Sequence, residues 1–294
     1  NLKDLTKDIN IRYFSNINKG IKPFIINELQ EEYSNKKILV ILENNNEISY
    51  YHNLFKNYFK KNNILKLPSW DNQPYEEVSP SQNILNERFK SFNFEQDKTI
   101  KNNSLIIFTN IDAFIQMVPL KKFLKEDNLQ LRVNDNFSIE KLNAHLYDTG
   151  YEKVSIVLEP HEYAVRGGIL DIWPIGEDSP RRIDFFGNKV ESIKSFNPVS
   201  QISMENFNSI FLCNSLESPR SKKYNQSFTE NYRYLFGPSA SDQLFVHKLK
   251  NRIRADGIEN WLPLFYSNSL CNIVDFFKID LIFADDSFLQ KSKE

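Results

Sequence analysis

The side chains best suited to chemistry lie in the run Arg182-Ile183-Asp184-Phe185-Phe186. Side chains alternate between faces along a strand, so if Ile183 and Phe185 point into a core, Arg182, Asp184 and Phe186 share the opposite face. A phenyl ring beside an arginine is a pairing enriched where proteins grip one another: the ring fills a pocket and the guanidinium fork pairs with a carboxylate. The plainer alternative has Phe186 packing under a neighbouring loop and Arg182 pairing with Asp184 or another acid. Sheets often carry such faces for solubility and single exposed apolar residues are ordinary, so pattern alone favours that alternative.

Other chemistries have less to stand on. Asn16-Ile17-Asn18-Lys19-Gly20-Ile21-Lys22-Pro23 leads from a loop into a helix, as a phosphate cradle does, but a working phosphate loop needs G-x-x-x-x-G-K-[ST]. This segment has one glycine and no hydroxyl after the lysine, so ATP binding is not expected there. Leu281-Ile282-Phe283-Ala284-Asp285-Asp286 mimics an apolar strand ending in a magnesium-binding acid, yet without a phosphate loop it reads as a solvated strand end. His52, His145, His161 and His247 are scattered, with no pair spaced to place two metal ligands on one helix face. No G-x-S-x-G elbow occurs and neither Cys213 nor Cys271 sits in a nucleophile motif, so no catalytic residue, cofactor or metal is nominated.

Three textures position these residues. Through about residue 110 the chain alternates helix and strand: Pro23 suits a first helical turn before Phe24, Ile25, Ile26, Leu29 and Tyr33, and a second helix is expected over Ile48 to Lys60. The continuous apolar runs Lys37 to Leu42 and Ser104 to Thr109 suit parallel strands covered on both faces, with an ordered loop from Leu67 to Tyr75 between them. From about Asn128 the chain turns to short strands expected at Val154 to Leu158, Glu162 to Val165, Gly168 to Trp173, Arg182 to Phe186 and Lys189 to Phe196, a small, mainly antiparallel unit. Gly187-Asn188 between the last two is a two-residue hairpin signal. After Leu212 the pattern is helical again: Ser239 and Asp242 resemble a capping box, Phe245, Leu249 and Ile253 form a stripe, and Gly257 is a stop. Leu281 to Ala284 is a closing strand.

Composition narrows the class. With 294 residues, 40% hydrophobic and 14% aromatic, the chain has ample apolar material to fold. Its 37 basic and 38 acidic residues leave a net charge of −1, so no global positive field exists to hold a phosphate backbone. Two cysteines outside any C-x-x-C pair fit a reducing cytoplasm. No stretch approaches the roughly 20 apolar residues of a membrane span, and Asn1-Leu2-Lys3-Asp4 lacks a signal peptide's apolar core. The chain starts at Asn1 rather than Met, which reads as a piece of something longer.

The stretch from Glu162 to Pro174, Glu-Tyr-Ala-Val-Arg-Gly-Gly-Ile-Leu-Asp-Ile-Trp-Pro, and the following Pro180-Arg181-Arg182-Ile183-Asp184-Phe185-Phe186-Gly187-Asn188 closely resemble the UvrB-homologous module of bacterial nucleotide excision repair, which occurs in UvrB and in the transcription-repair coupling factor, Mfd. Leu67-Pro68-Ser69-Trp70-Asp71-Asn72-Gln73-Pro74-Tyr75 and Gly257-Ile258-Glu259-Asn260-Trp261-Leu262-Pro263-Leu264-Phe265 look like segments of the coupling factor that UvrB lacks in this form. UvrB would also carry an intact phosphate loop and a tyrosine-bearing hairpin for DNA, and the coupling factor's copy has lost both, as this chain has.

The resemblance runs from about Asn10 to Asp286 and implies an α/β fold: a UvrB domain 1-like, helicase-like α/β domain with a degenerate P-loop, formed by residues 1–127 and 212–294, and an inserted small, mainly antiparallel UvrB domain 2-like unit at 128–211. Carried over residue by residue, the UvrA-binding positions fall on Arg166, Arg182 and Phe186, which turns the balance for Phe186 from packing to docking. Asn188 stands where the family often has an acid, which removes one charge contact. The implied role is non-catalytic recruitment of UvrA in the cytoplasm, in transcription-coupled repair. ATP and magnesium, DNA translocation, RNA polymerase and double-stranded DNA would belong to parts of the full-length protein outside this chain. So would a C-terminal domain that masks the UvrA-binding face. The competing reading is a fragment of a divergent UvrB-type helicase subunit or a DNA-binding module.

Overall fold

Runs of apolar residues uninterrupted by polar ones become the central strands of a parallel sheet, because both of their faces are covered. In the computed structural model, which describes residues 10–14, 17–61, 63–74, 76–94, 104–218, 220–237, 244–251, 253, 255–267, 269–285 and 288, the chain divides into two units. The first combines residues up to Asp71 with Lys90–Val118 and the segment from Cys271 onward. Its sheet contains β1 (Asn10–Phe14), β2 (Lys37–Leu42), β3 (Ile64–Leu67), β4 (Leu105–Asn110) and a last strand, Leu281–Asp285. Their order is β1, last strand, β2, β4, β3, with every pairing parallel and Val40 opposite both Phe108 and Phe283. Ile38 to Leu42 and Leu105 to Asn110 are buried throughout.

Helix α1 (Lys22–Glu32) has Pro23 in its first turn, where the missing N–H costs nothing. Helix α2 (Asn45–Asn57) starts three residues before the expected Ile48, because the Asn44 side chain accepts from the Glu47 N–H and fixes the helix start there. Ile26 of α1 and Ile48, Tyr51 and Phe55 of α2 pack against Ile38, Val40, Phe108 and Phe283. The loop after β3 is ordered by side chains: the Ser69 N–H donates to Asn45 Oδ1 at 3.0 Å, and Asn110 Nδ2 donates to Asn45 Oδ1 and Ser69 Oγ, each at 3.0 Å. Tyr75, expected in this loop, lies outside the described residues, and so does Asp286 at the strand end.

The second unit is Asn72–Phe89 with Pro119–Leu270. It contains the greater part of α3 (Gln82–Asn93), then α4 (Lys121–Glu126), β5 (Leu129–Arg132) and α5 (Ile139–Asp148), which the Ser138 hydroxyl caps by accepting from the Lys141 N–H. The strands that follow are β6 (Glu152–Lys153), β7 (Glu162–Arg166), β8 (Ile169–Ile172), β9 (Arg181–Phe186), β10 (Lys189–Phe196), β11 (Ser203–Phe207) and β12 (Ser209–Leu212). Six of them form one sheet in the order β11-β10-β9-β8-β7-β6, antiparallel except where β6 meets β7, while β5 and β12 pair separately. One face of the large sheet is its core face: Tyr163, Leu170, Ile172, Ile183, Phe185, Val190 and Ile193 pack with Leu142 and Leu146 of α5. Full burial of each such side chain is worth about 1.5–3 kcal/mol, so the face that carries them is fixed.

Two expectations need correcting. Val154 to Leu158 is not a strand. The Glu162 carboxylate accepts from the N–H groups of Leu158 at 2.7 Å and Glu159 at 2.9 Å, while Val154 and Val157 pack on Ala164 and Phe196, so the segment covers part of the sheet's other face. Gly257 does not end the helical stripe either, since α6 (Lys222–Phe236) is followed by α7 (Leu244–Lys250), which stops before it. Gly257 instead opens the 3₁₀ turn Ile258–Trp261 at φ +78°. The capping pair Ser239 and Asp242 lies outside the described residues.

Candidate docking site on the outer face of the antiparallel sheet

Strand β9 alternates as its residue types require. Ile183 and Phe185 are buried on the core face, and Phe186 stands 79% exposed at the far end of the strand. Phe186 pairs with Lys189 across Gly187-Asn188, so the expected two-residue hairpin forms, with Gly187 at φ +59°. A bulge just behind the turn sets Asp184 opposite Ser192 and Phe185 opposite Val190, an irregularity that increases local twist beneath the exposed ring.

Arg166 reaches the same face by a second tight turn. Gly167 adopts φ +60°, and Arg166 pairs with Ile169 in a two-residue hairpin between β7 and β8. Ile169 is in turn opposite Asp184 of β9, so Arg166, Ile169 and Asp184 lie in one row. In the next row Ala164, Asp171, Arg182 and Lys194 are successive partners.

The centre of the site is Asp171, 1% exposed. Its carboxylate accepts from Arg182 Nε at 2.7 Å and Nη2 at 2.9 Å, a two-point fork, and also from Arg166 Nη2. A buried carboxylate is costly unless it is paired, and here two guanidinium groups neutralise it. The hydrogen bonds that Arg182 donates to Asp171 raise its pKa above the already high ordinary value, so its charge is fixed. Arg182 also donates from Nη1 to the Gln201 carbonyl at 3.1 Å and lies over the Phe196 ring, 4.8 Å from its centroid. Its side chain is only 17% exposed, whereas that of Arg166 is 49% exposed and has N–H groups left for a partner.

All three residues singled out in the sequence therefore lie on one surface, two of them joined through one carboxylate. The plainer alternative holds for Arg182, which pairs with another acid. That acid is Asp171 rather than Asp184, which instead accepts from the Ser192 hydroxyl and pairs with Lys194 at 3.3 Å. Phe186 is not packed under a loop. Asp171 was not singled out in advance, although an acid inside the apolar run Ile169-Leu170-Asp171-Ile172 is itself a signal that a cation must sit opposite it.

In the first unit, the Lys19 amine is held by Glu47 at 2.9 Å and Glu43 at 3.3 Å, and the Gly20 N–H donates to Asn18 Oδ1 at 2.9 Å. Among the described residues no helix is long and apolar enough to cross a membrane.

Residues 129–216, which contain all of β5 to β12, match the family model of the UvrB interaction domain. A transcription-repair-coupling factor of Haemophilus influenzae is 27% identical over 275 residues, covering 93% of this chain and 23% of that protein. The protein of the same name from Escherichia coli is 27% identical over 270 residues, 92% of this chain and 23% of its own length, and that of Bacillus subtilis is 34% identical over 105 residues, 36% and 9%. The chain thus spans about a quarter of the length of the relatives it matches most fully. By sequence the chain is a homologue of the transcription-repair-coupling factors, with a UvrB interaction domain over residues 129–216.

Proposed function

We propose that this chain is a non-catalytic docking module that recruits UvrA in transcription-coupled nucleotide excision repair. The observation that carries the reading is the pairing of Arg166 and Arg182 through the buried Asp171 carboxylate, with the exposed ring of Phe186 at the end of the same sheet face. Such a surface is preorganised: the guanidinium groups are already oriented, so little side-chain entropy is lost when carboxylates of a partner arrive. The name of the relatives, transcription-repair-coupling factor, supports the part of this reading that concerns transcription-coupled repair. ATP-driven translocation, RNA polymerase binding and contact with double-stranded DNA belong, in this reading, to parts of a longer protein outside this chain.

The same reading takes residues 1–127 and 212–294 together as a UvrB domain 1-like fold with a degenerate phosphate loop and no cofactor. Glu43 and Glu47 supply Lys19 with two acids in the place where a phosphate would need its charge, which supports it.

The test is calorimetric titration of the chain with UvrA. Arg166→Ala, Arg182→Ala and Phe186→Ala each weaken binding by about 1 kcal/mol or more, and the double Arg182→Ala, Phe186→Ala variant loses it. Unchanged affinity in all of them, in folded protein, ends the reading. Steeply salt-dependent binding to duplex DNA would favour a DNA-binding module instead.

A further inference from the structure

A polar atom shut off from water needs a hydrogen-bond partner, because its desolvation is otherwise uncompensated. In the second unit, Gln82 Oε1, Ser218 Oγ and Asn225 Oδ1 are buried and have no such partner among the described residues. The three side chains line one cavity of about 30 Å³.

Each side chain arrives there on a different segment. Gln82 opens α3, Asn225 lies in the first turn of α6, and Ser218, 2% exposed, belongs to the connection from β12 to α6. The Asn225 amide cannot be turned round. Its Nδ2 donates to the Arg220 carbonyl at 3.1 Å and the Leu249 carbonyl at 3.4 Å, and an oxygen in that place would face both, so Oδ1 is a fixed acceptor. Ser218 is anchored through its neighbour: the Glu217 carboxylate accepts from Arg88 and the Glu217 carbonyl accepts from the Tyr266 hydroxyl at 2.7 Å. On the same wall the Ser79 hydroxyl donates to Glu259 Oε2 at 2.8 Å and accepts from the Gly257 N–H at 3.2 Å, so its proton is already committed.

The chemistry of these atoms selects the occupant. Two of the three are amide oxygens, which only accept, while a hydroxyl both donates and accepts, so the occupant must itself donate hydrogen bonds. A buried water needs about 10–15 Å³ and makes about three hydrogen bonds, whereas a pocket for an organic ligand measures roughly 300–1,000 Å³. We propose that this cavity is a hydration site for about two ordered waters, which donate to Gln82 Oε1 and Asn225 Oδ1, bond the Ser218 hydroxyl, and so tie α3, α6 and the β12–α6 connection together.

A high-resolution crystal structure of the chain, from crystals grown with rubidium chloride, tests this directly. Solvent peaks without anomalous signal are expected at about 2.5–3.2 Å from Ser218 Oγ, Gln82 Oε1 and Asn225 Oδ1. A cavity without density overturns the hydration site, and so does a single peak with rubidium's anomalous signal, which would make these oxygens ligands of a monovalent cation. Melting of the unaltered chain and Ser218→Ala, each in sodium chloride and in potassium chloride, gives a second readout. Removing the hydroxyl takes a partner from the waters, so Ser218→Ala lowers the melting temperature by about 2 °C or more, equally in both salts. An unchanged or higher melting temperature is what deletion of an unsatisfied buried hydroxyl produces, and it overturns the proposal. A melting temperature of the unaltered chain that rises with potassium alone, and not in Ser218→Ala, overturns it in favour of the cation.

Discussion

Arg88 of α3 and Glu217, 129 positions apart, close a two-point ion pair from which water is wholly excluded. Arg88 donates through Nε and Nη2, and the backbone carbonyl of Glu217 accepts from the Tyr266 hydroxyl at 2.7 Å. Two buried charges offset each other's desolvation only while both are present.

Removing one partner is therefore more damaging than removing both. Glu217→Ala is expected to lower unfolding free energy by about 3–5 kcal/mol, because it strands a buried guanidinium. Arg88→Met with Glu217→Leu regains most of that loss. Urea unfolding of the single and double variants measures the difference, and a double variant no more stable than Glu217→Ala contradicts the argument.

Asp171 acts through the arginines it holds. Asp171→Asn keeps the shape of the side chain but loses the charge that fixes Arg166 and Arg182, so UvrA binding weakens. Its effect combined with Arg182→Ala is smaller than the sum of the two, with a coupling of about 1 kcal/mol or more, as expected for groups in direct contact. Strict additivity in a double-mutant cycle would show that Asp171 has no positioning role.

The elements readable from sequence were those where one force dominates. Lys37 to Leu42 is a strand because nothing but apolar contact is on offer there, and the Phe186–Lys189 hairpin follows from the glycine its turn requires. Ile64–Leu67 carried no such signal, being four residues long and interrupted by Lys66. Val154 to Leu158 has strand-forming residue types, but the Glu162 carboxylate takes up the N–H groups of its last residue, Leu158, and of the next, Glu159, a side-chain effect invisible in propensities. In the candidate site, Arg182 and Phe186 were legible from period two, whereas Asp171 depends on strand register, which places it opposite Arg182.

Gly257 has main chain where a side chain would go. A Cβ there would lie 2.4 Å from the Glu76 carbonyl oxygen and 2.9 Å from Glu77 Cα, on a residue at φ +78°. Gly187, at φ +59° with nothing within 4 Å of an added Cβ, bears only the backbone strain. Gly187→Ala should thus cost about 1 kcal/mol, and Gly257→Ala about 2 kcal/mol or more, since its clash is with main chain that cannot rotate away. Equal melting temperatures for the two variants would mean that the segment at Glu76 yields easily.

His145, in the last turn of α5, gives the second unit a dependence on pH. Burial lowers the pKa of its imidazole below the ordinary 6.5, opposed in part by the charges of Asp127 and Asp148. Because the folded pKa lies below the unfolded one, the unfolded chain takes up the proton first as pH falls. The associated stability is complete above about 6.5 and is lost progressively as pH drops from there toward the lowered folded value. Asp127 works in the opposite sense: burial raises its carboxyl above 3.8, so its contribution grows on acidification and is present in both proteins compared. Replacing the imidazole with a group that does not titrate, His145→Asn, removes the first effect alone. Urea midpoints measured between pH 7.5 and 5.5 should fall less steeply for His145→Asn than for the unaltered chain, and parallel profiles would place the imidazole in contact with water in the folded state.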